Sequence, residues 1–127
     1  MIIGCGIDIV ELERIKDLID RHGERASKKI FTDAEIEYCQ AKRKYWQHFA
    51  GRFAAKEAVA KALGTGIQDG IAFRDIEVTL DDLGAPRIEL SGGAKKRADE
   101  LGIVKVHLSI SHGEEYAVAQ AIAEGAG

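Results

Sequence analysis

Three ionisable side chains are placed so that they could work on one phosphate: Asp8 in an N-terminal strand, and Glu57 with Lys61 in a helix-prone segment. In Met1-Ile-Ile-Gly-Cys-Gly-Ile-Asp-Ile-Val10, period-two alternation puts Ile3, Cys5, Ile7 and Ile9 on one face and Gly4, Gly6 and Asp8 on the other. Glycines weaken a strand and offer nothing to pack, so two of them beside a carboxylate read as space kept for another group. The expectation is that something binds at Asp8. Two carboxylates without a full set of His or Cys ligands suit a hard, oxygen-seeking ion, and Mg²⁺ characteristically takes one or two carboxylates plus phosphates and waters. Lys61, one turn beyond Glu57, is a point charge able to stabilise or protonate a phosphate leaving group. Taken alone, Glu57 and Lys61 fit an exposed helical ion pair worth about 0.3–0.5 kcal/mol better than they fit a site.

A second set lies in His107-Leu-Ser-Ile-Ser-His112, where alternation lines up His107, Ser109 and Ser111 opposite the core-seeking Leu108 and Ile110. Hydroxyl and imidazole groups in a row suit phosphate oxygens. A solvated edge strand ending in a turn histidine explains the same pattern. His107 and His112 face opposite ways and do not read as a shared metal site, while His22 and His48 read as surface residues. The loop Gly64-Thr-Gly-Ile-Gln-Asp-Gly70 follows a helix rather than opening one, so it reads as a cap plus mobile loop and not as a dinucleotide fingerprint. No Walker-type Gly-Lys-Ser/Thr occurs.

The elements that must hold these groups follow from pattern. A helix starts at Glu11, carries Leu12, Ile15, Leu18 and Ile19 at helical spacing, and ends near His22-Gly23. Thr32-Asp-Ala-Glu35 is a capping box that opens a short second helix. From Tyr45 to Leu63 there is no proline, alanine is abundant, and Gly64 stands where a left-handed cap is expected. The aromatic stripe Trp46, Phe49, Phe53 continues into Glu57 and Lys61, so charge appears where core was due. Ile76–Leu80 and Ile88–Leu90 flank the turn Asp81–Pro86 as a hairpin. Gly92–Leu101 is a helix closed by Gly102, and Val104–Ile110 and Tyr116–Ile122 are two last strands. The order is an N-terminal strand, three helices, antiparallel strands and one further helix, an α+β pattern in which Glu124–Gly127 is left loose.

The 127 residues, 46% of them hydrophobic, fit one domain spanning 1–127. A net charge of -3 argues against general nucleic-acid binding, yet residues 40–61 hold six cations and one carboxylate, a band that suits an acidic or phosphorylated partner or simply a solvated helix face. Cys5 and Cys39 are too few for a disulfide framework and read as reduced, packed thiols. No apolar run approaches the roughly 20 residues of a membrane span, and no signal peptide is evident, so a soluble cytoplasmic protein is expected.

Gly6-Ile-Asp8-Ile-Val-Glu-Leu-Glu-Arg14-Ile15, Phe31-Thr-x-x-Glu35-x-x-Tyr38, Phe49-Ala-Gly-Arg52-Phe-Ala-Ala-Lys56-Glu57-Ala58, Lys61-Ala-Leu-Gly-Thr-Gly66 and Ser109-Ile-Ser-His112 together resemble the short bacterial 4'-phosphopantetheinyl transferases, the holo-acyl-carrier-protein synthase family. The resemblance covers nearly the whole chain. It implies the 4'-phosphopantetheinyl transferase fold and Mg²⁺-dependent transfer of the phosphopantetheine arm of coenzyme A to a serine of apo acyl carrier protein, with release of adenosine 3',5'-bisphosphate, in fatty acid biosynthesis. It further implies that Asp8 and Glu57 hold the metal and that Lys61 neutralises the leaving phosphate. Glu57 or a metal-bound water would act as base, with His107 near the diphosphate. Ser109, Ser111 and His112 are implied at the nucleotide end, with Arg52, Lys56, Gly64 and Pro86 also at the coenzyme. Arg14, Arg21 and Arg25 resemble the basic surface that meets the carrier protein. Short members of the family are similar to homotrimers with sites between subunits, and Val10 stands where longer relatives carry a third acid. A coenzyme sensor without a reaction partner, or a protein-binding module using the basic band alone, would use parts of the same residues.

Overall fold

The computed structural model describes residues 1–127. Strand β1 (Ile2–Glu11) leads into α1 (Leu12–Ile30), α2 (Asp33–Gln40) and α3 (Tyr45–Ala62). A hairpin of β2 (Ile76–Leu80) and β3 (Pro86–Leu90) follows, then α4 (Gly92–Leu101), β4 (Ile103–His112) and β5 (Tyr116–Gly125). The α+β order read from the sequence is the order observed. β1, β5 and β4 form an antiparallel sheet in that spatial order, and β2 pairs with β3 separately.

Helix α3 is the centre. Phe49, Ala50, Ala54, Ala55, Ala58, Val59 and Ala60 along it are fully buried. Its packing depends on small residues, because Ala117, Ala119, Ala121 and Ala123 of β5 all turn one face toward it. Gly4 and Gly6 of β1 extend that face. A Cβ on Gly4 would collide with the Ala62 carbonyl, and one on Gly6 with the Ala58 carbonyl. The group for which the glycines leave room is therefore the backbone of α3. The opposite face of β1, which carries its apolar residues, is open: Ile7 is 60% and Ile9 63% exposed, and Cys5, expected to be packed, is exposed as well. Only Cys39 is a packed thiol, and burial pushes it up to about 12.

Helix α1 breaks where Gly23 was expected to end it, with φ 54 and ψ -139, and then resumes to Ile30. Only glycine tolerates that conformation readily, so the break is local and the chain can re-enter a helix beyond it. The capping box is formed, with Glu35 N donating to Thr32 Oγ1 at 3.3 Å and Thr32 N to Glu35 Oε1 at 2.8 Å. Glu124, expected in a loose tail, belongs to β5 and pairs with Ile2 of β1 and Lys105 of β4. No helix is long and apolar enough to cross a membrane.

Candidate functional site

The inner face of β1 runs Gly4, Gly6, Asp8, and the first two positions lie over Ala62 and Ala58 of α3. Where this seam ends, Asp8 supplies a side chain instead of a gap, and Lys61 of α3 reaches it: Lys61 Nζ is 3.2 Å from Asp8 Oδ1 and donates to the Ile7 carbonyl at 2.9 Å. Asp8, Glu57 and Lys61 line one groove of about 730 Å³, together with Arg14, Arg21, His22 and the apolar Ile15, Leu18 and Phe53. Burial holds the Glu57 carboxyl above its usual range, and the charge of Asp8 adds to this against the opposing pull of Lys61. Asp8 and Glu57 are the oxygen donors in this groove that could hold a small divalent ion, with Lys61 beside Asp8. No group of three or more His, Cys, Asp or Glu side chains gathers anywhere in the fold.

Arg14 and Arg21 border this groove on α1, and Arg21 Nε donates to Asp17 Oδ1 at 3.0 Å. Arg25 lies beyond the Gly23 break, in a neighbouring depression with His22 and Lys29. His22 thus stands between the two basic patches.

Pro86, Arg87, Lys105, His107 and Ser109 line a second groove, between the hairpin and β4. His107 Nε2 lies 3.0 Å from Glu124 Oε1, and this bond lowers the Glu124 carboxyl below its usual range. Rows of the sheet join Cys5 to Ile122 and His107, Ile7 to Gln120 and Ser109, and Ile9 to Val118 and Ser111. Directly opposite residues in a sheet share a face, so His107, Ser109 and Ser111 stand on the open face with Ile7 and Ile9. Asp8, in the row with Ala119 and Ile110, points to the helix side. Asp8 and the row His107, Ser109 and Ser111 therefore lie on opposite faces of the sheet.

His112 is on the helix side too, its ring 6.1 Å from that of His48. His48 is half-buried rather than a free surface residue, and burial lowers its pKa, followed by the charge of Arg52. Arg52 is buried beneath Tyr38, with its guanidinium carbon 4.4 Å from the ring centroid and Nε without a hydrogen-bond partner. Gly64 follows the end of α3 with φ 82.

Lys56 does not join any groove. It is 0% exposed and its ammonium is 2.7 Å from Glu35 Oε1, also 0% exposed. It donates as well to the carbonyls of Phe73, at 3.1 Å, and Ile76. An ammonium has three donors and all are used, so Lys56 has none left for a coenzyme. The sequence pattern located the Glu35 cap but gave no sign of its buried partner, and Glu124 fell in a segment read as loose. Phe53, read as core stripe, packs against the core and stacks on Phe73, and it also lines the first groove.

A family model of the 4'-phosphopantetheinyl transferase superfamily matches residues 4–121. The holo-acyl-carrier-protein synthase of Clostridium novyi (strain NT) is 53% identical over 124 residues, covering 98% of this chain and 88% of that protein. The crystal structure of the holo-acyl-carrier-protein synthase of Neisseria meningitidis superposes with a TM-score of 0.89 at 41% identity, covering 98% of this chain and 99% of the other. That of Helicobacter pylori in complex with coenzyme A superposes with a TM-score of 0.84 at 34% identity, over 94% and 99% of the two chains. With the whole fold and nearly the whole sequence matched, the chain belongs to the 4'-phosphopantetheinyl transferase superfamily.

Proposed function

We propose that this protein is a holo-acyl-carrier-protein synthase: it transfers the 4'-phosphopantetheine arm of coenzyme A to a serine hydroxyl of apo acyl carrier protein, releases adenosine 3',5'-bisphosphate and depends on Mg²⁺. Its place would be the priming of carrier protein for fatty acid biosynthesis in the cytoplasm. The observation that carries the reading is the convergence of Asp8, Glu57 and Lys61 in one groove bordered by Arg14 and Arg21. The relatives named above act in the same sense, and the Helicobacter pylori protein is described with coenzyme A bound.

In this reading Asp8 and Glu57 would hold Mg²⁺, which when bound supplies positive charge to the diphosphate. The serine oxygen forms a bond to the phosphorus that bears the pantetheine arm, and the bond from that phosphorus to the bridging oxygen breaks. The electron pair leaves with the adenosine bisphosphate, whose growing negative charge faces Lys61. Glu57, lining the same groove, is available to take the serine proton. Arg14 and Arg21, with Arg25 beyond the break, give an acidic carrier protein a basic approach to that groove.

His107 and Ser109, with Pro86, belong to the nucleotide end, on the opposite face of the sheet from Asp8. One chain does not bring the halves together, whereas a neighbouring copy seated on the open face of Ile7 and Ile9 would. A homotrimer with sites between subunits fits this arrangement.

The deciding experiment incubates the protein with apo acyl carrier protein, coenzyme A and Mg²⁺ and follows carrier mass. The arm should add to the carrier and a chelator should abolish the addition. Coenzyme A binding without any mass gain would leave a sensor instead.

A further inference from the structure

The buried ion pair of Lys56 and Glu35 has no part in the chemistry above, yet it ties α2 and α3, the helix of Glu57 and Lys61, to the β2–β3 hairpin. Lys56 is the residue before Glu57 on α3, and its ammonium holds the carbonyls of Phe73 and Ile76, the approach to β2. Glu35, at the start of α2, accepts from Thr32 N through Oε1 at 2.8 Å and from Val78 N through Oε2 at 2.9 Å. Val78 lies in the middle of β2, and the register carries its position to the far end of the hairpin: Val78 opposes Ile88 and Leu80 opposes Pro86. Pro86 and Arg87 are the hairpin's share of the groove that contains His107 and Ser109.

Taking two charges out of water is costly, and an apolar pair of the same size is often as stable or more so. A two-stranded hairpin is also marginal by itself and needs an anchor to hold one place. Apolar packing alone would let β2 slide or tilt against α3, whereas three directed bonds, to the backbone of Phe73, Ile76 and Val78, allow a single placement.

We propose that Lys56 and Glu35 are positioning residues for the transfer reaction: the pair locks the β2–β3 hairpin to α3 and so fixes where each chain presents its nucleotide-side groove to the Glu57 and Lys61 of a neighbouring copy. The proposal rests on the transferase reading above. Carrier docking, which uses the exposed arginines of α1, is not under its control.

The test uses the full chain with Lys56→Met and Glu35→Gln combined, which removes both charges and keeps side-chain length. With the fold retained by circular dichroism, amide exchange through residues 73–78 should speed up at least about tenfold. The coenzyme A KM and its Kd by calorimetry should rise about tenfold, while the carrier-protein KM stays within about twofold. Faster exchange with unchanged coenzyme A affinity would overturn the proposal and leave the pair a fold element only. If the double variant does not fold, Glu35→Asp decides. It keeps both charges but is too short to reach Lys56 and Val78 N together, so a folded Glu35→Asp protein with wild-type coenzyme A affinity would equally overturn it. A wild-type chain that binds coenzyme A and transfers nothing would end the transferase reading, and coenzyme A affinity in the variants would still judge the lock.

Discussion

Lys61 Nζ lies 3.2 Å from Asp8 Oδ1, closing a contact across 53 positions of sequence between β1 and α3. The same ammonium also binds the carbonyl of Ile7, so Lys61 fixes the strand backbone as well as the acid. Glu57 lines the same groove as this pair.

Replacing Lys61 by Met should lower phosphopantetheine transfer at least about a hundredfold, the usual scale for losing one preorganised charge at a developing anion. Asp8→Ala should abolish transfer while circular dichroism stays unchanged, because Asp8 lies at the rim of the seam and not within it. Rates of carrier mass gain measure both. An active Asp8→Ala protein with unaltered Mg²⁺ dependence would remove Asp8 from the metal site.

Glu57 gives a pH signature. Its carboxyl is raised on folding, chiefly by burial and then by Asp8, so its ionisation opposes folding. The penalty is absent below the ordinary carboxylate range, grows as pH rises through that range, and is complete above the raised value. In chelator, Glu57→Gln should therefore melt higher than wild type at neutral pH and lose that advantage under acid. Mg²⁺ should raise the melting temperature of wild type at neutral pH and leave Glu57→Gln unmoved. Thermal melts across pH, with and without the ion, read both effects.

Gly6→Ala should cost about 1–3 kcal/mol or more, because its Cβ meets the backbone of α3, which has no free rotamer with which to yield. Gly113→Ala is the control, since a Cβ there has nothing within 4 Å. Urea unfolding midpoints compare the two.

Arg14→Glu should raise the carrier-protein KM about tenfold at low ionic strength and less at high salt, with coenzyme A binding unaffected. Steady-state kinetics at two salt concentrations test this. Loss of coenzyme A binding would instead move Arg14 from docking to the coenzyme site.

Ile7→Asp should convert the proposed trimer to monomers and stop transfer, since Ile7 is exposed at the middle of the open face. Light scattering coupled to size exclusion reads the mass. A trimer that survives Ile7→Asp would place the interface elsewhere.

Local signals carried much of this fold into the sequence. Thr32 and Glu35 announced α2 because a capping box is completed within four residues, and Gly64 and Gly102 announced helix ends because each takes a positive φ. The alternation in β1 and β4 sorted residues onto faces correctly, since a strand's period is fixed by its backbone. It did not say which face would be covered. Gly4 and Gly6 read as space kept for a ligand, because composition cannot reveal that α3 would settle on the glycine side.

The sequence by itself determined the elements, their order and the pairing of charge with helix in Glu57 and Lys61, all of which depend on neighbours within a few residues. Tertiary structure alone decided that Lys61 meets Asp8, that Lys56 is spent on Glu35 and two carbonyls, and that His107 and Asp8 face opposite ways across the sheet. These depend on how closely α3 approaches β1, a distance set by side chains missing from Gly4 and Gly6, and no local pattern encodes the partner that takes up an absence.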